Sequence, residues 1–129
     1  MSAPYQPFDF TEPVFHEADL TRLASELEKQ PAYQKSGRAA VTIGRDRRMT
    51  VVLTALRAGV EIHEHEAPGP ATLLVLSGSL SLYAASGPGA AGRRLTAGNA
   101  VLFPPEVRHR ITGDEDGAFL LIFGGQPAG

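Results

Sequence analysis

The chain contains no cysteine in its 129 residues. Without thiols there can be no disulfide framework, no thiolate zinc site and no cysteine nucleophile, so a metal would have to be held by histidine or carboxylate. A surplus of either charge is also missing. The 12 basic side chains stand against 14 acidic ones, and so balanced a surface has no field with which to gather nucleic acid or an anionic membrane. Neither is expected as a partner. No apolar run approaches the roughly 20 residues of a spanning helix, and residues 1–15 carry neither a basic leading segment nor a signal-length apolar run. The cytoplasm is the expected compartment.

What is present describes one folded unit. Hydrophobic residues make up 43% and charged ones 20%, an ordinary globular balance. The length suffices for one buried core and is too short for two, so one interior site is expected. Residues 1–15 place Pro4, Pro7 and Pro13 among Tyr5, Phe8, Phe10, Val14 and Phe15. That stretch is too broken for a helix and too apolar for a free tail, and it reads as an arm that docks on a surface. Over residues 18–30, Leu20, Leu23, Ala24 and Leu27 recur at helical spacing behind Asp19, and Pro31 is expected to close the helix.

After Gly37 the pattern is strand and turn. Strands are predicted over 38–43, 49–56, 60–65, 72–76, 80–84, 100–103, 107–112 and 118–123. Turns fall at 44–47, Ala58-Gly59, a tight hairpin at Ser77-Gly78, and 113–117, while 86–92 forms a Gly-, Ala- and Pro-rich loop. So many short strands argue for a sandwich or closed barrel, since open edges invite aggregation.

Three histidines are candidates for chemistry. His63 and His65 stand two apart in a strand-like run, where alternate side chains share a face. Their α-carbons would lie about 6.7 Å apart, close enough for both rings to lean toward one ion. Glu61 has the same parity and is the candidate base; Glu64 and Glu66 are weaker ones, and all three also read as solvated rim charges. His109 shares parity with Val107 and Ile111, so its ring is expected to point inward while Arg108 and Arg110 face out. A hydrogen-bonded core histidine is the alternative reading.

The remaining features are weaker. His16 reads as surface. Arg45, Arg47 and Arg48, and the pair Arg93-Arg94, lie in or beside turns and read as solvated. Tyr33, Tyr83 and Phe103 suit either a pocket wall or plain packing. Ser77, Ser79 and Ser81 lack a partner at nucleophile spacing, and no phosphate-binding glycine loop is present.

The run Gly98-Asn99-Ala100-Val101-Leu102-Phe103-Pro104-Pro105-Glu106-Val107-Arg108-His109 resembles the second motif of the cupin superfamily. Gly98, Pro104 and His109 hold its spacing, and Glu106 replaces its second glycine. Residues 59–78 are similar to the first motif, with departures. Counted from Gly59, His65 falls on the first histidine, while Ala67 and Ala71 occupy the second histidine and the glutamate. Taking His63 and His65 as the pair instead shifts the spacing by two and keeps their parity.

The resemblance covers residues 40–123 and implies a small single-domain protein of the cupin 2 type. The expected fold is all-β, a jelly-roll barrel over 38–125 preceded by an arm and short helix over 1–37. It also implies a divalent metal (Zn, Fe, Cu or Ni) on His63, His65 and His109, and a small organic molecule bound or transformed, as by an oxygenase or isomerase. Three neutral imidazoles would leave such an ion its full charge. Loss of the metal, leaving a binding module, is the alternative that Ala67 and Ala71 favour. A homodimer is expected, with the arm crossing to a neighbour's sheet edge.

Overall fold

The computed structural model describes residues 5–65, 69–84, 92–105 and 107–124, with only the backbone for Glu64 and His65. Two helices precede the barrel. Asp19 caps α1 (Leu20–Glu28), its side chain accepting the Arg22 amide at 3.1 Å. Pro31 does not merely close that helix. It occupies the first turn of α2 (Pro31–Ser36), where its missing N–H removes no helical bond. Gly37, in the left-handed region at φ 78°, ends α2 with its amide on the Tyr33 carbonyl.

Among the described residues there are eight strands: β1 (Phe8–Asp9), β2 (Arg38–Arg45), β3 (Met49–Leu56), β4 (Glu61–His65), β5 (Ala71–Ala84), β6 (Arg93–Thr96), β7 (Ala100–Phe103) and β8 (His109–Gly124). β5 and β8 are the two long ones and pair with each other along most of their length. The N-terminal half of β5 also takes β7, and its C-terminal half takes β6. The C-terminal half of β8 takes β3, and its N-terminal half takes β4. The hydrogen bonds join all eight strands, and by register the long pair runs through two sheet halves, β1-β2-β3-β8-β5-β7 and β4-β8-β5-β6. This is the all-β jelly-roll barrel.

The hairpin expected at Ser77-Gly78 and the turn expected over 113–117 are absent. At those positions the two long strands bend together, with register shifts between Val75 and Leu80. The cause is a pair of facing glycines. A Cβ on Gly117 would strike the Ser77 carbonyl, and one on Gly78, which has φ 69°, would strike the Asp116 carbonyl. Only two residues without side chains let the backbones approach so closely and fold from one sheet into the next. The slip changes parity, so Ala71, Leu73 and Val75 point inward before it and Leu80 and Leu82 after it. Arg93-Arg94, expected beside a turn, begin β6.

Two apolar layers result. Between the sheets lie Leu56, Leu73, Val75, Leu80, Leu82, Ile111 and Phe119. On the outer face of β2 and β3, Leu27 and Tyr33 of the helices pack on Ile43, Leu53 and Ala55, with Leu20 and Leu23 at the margin. Burying a leucine completely, as with Leu53 and Leu73, stabilises the fold by about 1.5–3 kcal/mol each. The expected N-terminal segment is therefore joined to the barrel by a shared core. The arm docks as expected of it, but on its own barrel: Phe8 and Asp9 pair in parallel with Gly44 and Arg45 at the edge of β2.

Candidate functional site

His109 opens β8 at the point where that strand lies between β4 and β5, with His65 as its ladder partner on one side and Ala84 on the other. Its side chain is 3% exposed. The inward parity with Ile111, itself 1% exposed, holds as the strand pattern predicts. The Phe103 ring lies 4.8 Å away, tilted by 54°. His109 Nδ1 stands 3.2 Å from the Val107 carbonyl. A carbonyl can only accept, so Nδ1 is the donor, and in the neutral ring the lone pair is at Nε2. This second-atom anchoring is how an imidazole is oriented toward a metal or a ligand donor.

The partner strand departs from simple alternation. Ile62 pairs with Ile111 and His65 with His109, so three steps along β4 match two along β8. That is a bulge of one extra residue. Val60 and Ile62 pack on the interior cluster. Glu61, expected beside the imidazoles, lies on the outer face, its Oε1 3.0 Å from Arg110 Nε. The Arg110 guanidinium in turn sits 4.5 Å over the Tyr83 ring. The surface that holds Glu61 is thus an ion-pair and cation–π cluster, which leaves it badly placed as a base for an interior reaction. His63 is exposed. The side chain of His65 lies outside the described residues, as do those of Glu64 and Glu66. Ala67 lies outside them too, and Ala71 is buried beside Phe123.

A metal centre needs three or more convergent donors. Among the described residues no group of three histidine, cysteine, aspartate or glutamate side chains converges. The His65 side chain lies outside those residues, and the ladder pair brings His65 and His109 to adjoining strand positions. Val60 and Ile62 alternate with Glu61 in the sequence, and apolar residues claim the inner face first.

No family model and no curated protein matches the sequence. Solved structures do match. A conserved protein of unknown function from Streptococcus pyogenes superposes with a TM-score of 0.62 at 20% identity, over 77% of this chain and 88% of that one. An RmlC-like cupin from Shewanella frigidimarina gives 0.62 at 20%, over 70% and 78%. KdgF from Halomonas sp. gives 0.63 at 17%, over 70% and 81%. At these identities the likeness establishes the fold, which is that of the cupins. Among the described residues, no helix is long and apolar enough to cross a membrane.

Proposed function

We propose that this cupin-fold chain binds a small organic molecule inside the barrel beside His109. The observation that carries the reading is a buried histidine on an otherwise apolar face, packed against Phe103, with its tautomer set by Val107. Ligand sites of this kind are mostly apolar with a few polar groups that fix orientation. Nε2 would accept a hydrogen bond from a hydroxyl or N–H of the ligand, and Phe103 and Ile111 would contact its carbon frame. Such contacts would favour a compact hydroxylated molecule over a polyanion.

The test is a titration of labelled protein with a short polyol, a hydroxy acid and a phenol, following the His109 ring nitrogens by NMR. Saturable shifts of the His109 ring and of neighbouring backbone amides are expected for at least one probe, the amide shifts being lost in His109→Ala. No saturable shift at His109 by about 10 mM, a concentration that would detect even millimolar affinity, would overturn the reading.

The ladder pairing of His65 with His109 favours a second reading, in which these two, with His63 as the third donor, hold a divalent transition metal. When bound, such an ion would polarise a substrate oxygen and acidify water. The chain's own part would be to hold the His109 ring through the Val107 carbonyl and to keep the inner face dry. Protein purified without a histidine tag and reloaded with Zn, Fe, Cu or Ni should then carry close to one equivalent, and His65→Ala and His109→Ala should each abolish it. His63→Ala should lower loading sharply, since it leaves two donors where three are needed. Wild-type loading below about a tenth of an equivalent would remove the metal and leave the binding reading standing.

A further inference from the structure

The arginines of the β2–β3 turn lie apart from the barrel interior, and only one of them has a structural role. Asp46 organises the turn. Its buried carboxylate accepts the amides of Arg48 and Met49 on Oδ1, at 2.7 and 3.1 Å. Oδ2 accepts Arg48 Nη2 and Nε at 2.7 and 3.0 Å. Arg48 is thereby committed to its own loop. Arg45 and Arg47 are exposed and pair with no carboxylate among the described residues.

Opposite them runs the arm. Pairing of Phe8 with Gly44 and of Asp9 with Arg45 lays it along the turn. Phe10 rests on Gly44, where an added Cβ would stand 3.1 Å from its ring, and Phe8 meets Phe10 edge-on at 5.5 Å. Asp9, the other acid of this region, already accepts the amide and hydroxyl of Thr11 at 2.9 and 2.8 Å. Between arm and turn lies a groove of about 830 Å³ walled by Phe8, Phe10, Arg45 and Arg47. Its lining holds three arginines and two aspartates, hence one positive charge in excess.

We propose that this groove is a second binding site, for a small organic oxyanion: a carboxylate or phosphate ester carried on an aromatic or planar body. Each guanidinium offers five N–H donors in a fork that matches a carboxylate or phosphate edge. Two such forks without a carboxylate of their own supply the head-group contacts, and such charge-assisted bonds are the strong ones. The rings of Phe8 and Phe10 supply the apolar wall for the body. The volume is in the range of small-molecule sites. No lining residue belongs to β4, β5 or β8, so the site is independent of His109 and of the reading of the barrel interior.

The experiment titrates the full chain with phenyl phosphate, benzoate and inorganic phosphate, by calorimetry and by amide shifts. Saturable binding of phenyl phosphate or benzoate is expected, with shifts at residues 8–11 and 45–48. The tighter of the two identifies the head group. The double variant Arg45→Gln, Arg47→Gln should weaken binding tenfold or more, and both residues are exposed, so the fold is retained. His109→Ala should bind as the wild type does. Inorganic phosphate should bind several-fold more weakly, for lack of a body to lie on the rings. The proposal is overturned by shifts that fail to saturate by about 10 mM, by equal affinity for inorganic phosphate, or by binding that survives in the double variant.

Discussion

Asp46 shows how a single side chain can settle a loop and also make stability depend on pH. Hydrogen bonds from the Arg48 guanidinium first, and then from backbone amides, hold its carboxyl below the usual range. A folded pKa below the unfolded one gives stability that is fully present above the ordinary carboxylate value of about 3.9. That stability is lost as pH falls through the lower folded value. Asp46→Asn should therefore lower the urea midpoint at neutral pH and flatten the acid limb of the midpoint-against-pH curve, so that the two proteins converge at low pH. A constant gap at every pH would show that the carboxylate charge is not what matters. His109 was legible at this same scale, because a histidine flanked at alternate positions by Val107 and Ile111 has one direction in which to point. Glu61 shares sequence parity with His65, but the strand gains a residue between Ile62 and His65, and Glu61 meets Arg110 instead.

At the scale of the element, two long strands replace what the sequence presents as four short ones and two turns. Gly78 and 113–117 have turn composition, and composition cannot tell a glycine that reverses a chain from one that lets two chains touch. Gly117→Ala separates these cases. Its Cβ would meet backbone on the facing strand, and backbone cannot yield as a flexible side chain can. The cost should be about 3 kcal/mol, a fall in Tm of roughly 10 °C for a domain of this size. Gly59 is the control: it has φ 83° and nothing within 4 Å of an added Cβ. Gly59→Ala should thus cost only the left-handed penalty of about 1–2 kcal/mol. A loss at Gly117→Ala no larger than that at Gly59→Ala would mean that close approach does not fix the corner. The helices show the same limit: the apolar stripe of α1 and its Asp19 cap were readable, whereas Pro31, expected only to close that helix, also opens α2.

Across the whole molecule, the arm is what protects the edge of the larger sheet. β1 covers β2 within one chain, where an uncovered strand would offer its backbone to other molecules. Removing residues 1–17 should therefore raise self-association, measured by sedimentation and light scattering at matched concentration. An arm that crossed to a neighbour would produce the opposite, dissociation upon deletion. The sequence by itself determined the all-β class, the apolar alternation, the inward direction of His109 and the docking of an aromatic arm, since each follows from local period and polarity. Only the tertiary structure decided which glycines bend paired strands, that β4 bulges and turns Glu61 toward Arg110, and that the arm lies beside Arg45 and Arg47. Those outcomes depend on which strand lies opposite, and a strand's partner is chosen by the packing of the complete barrel.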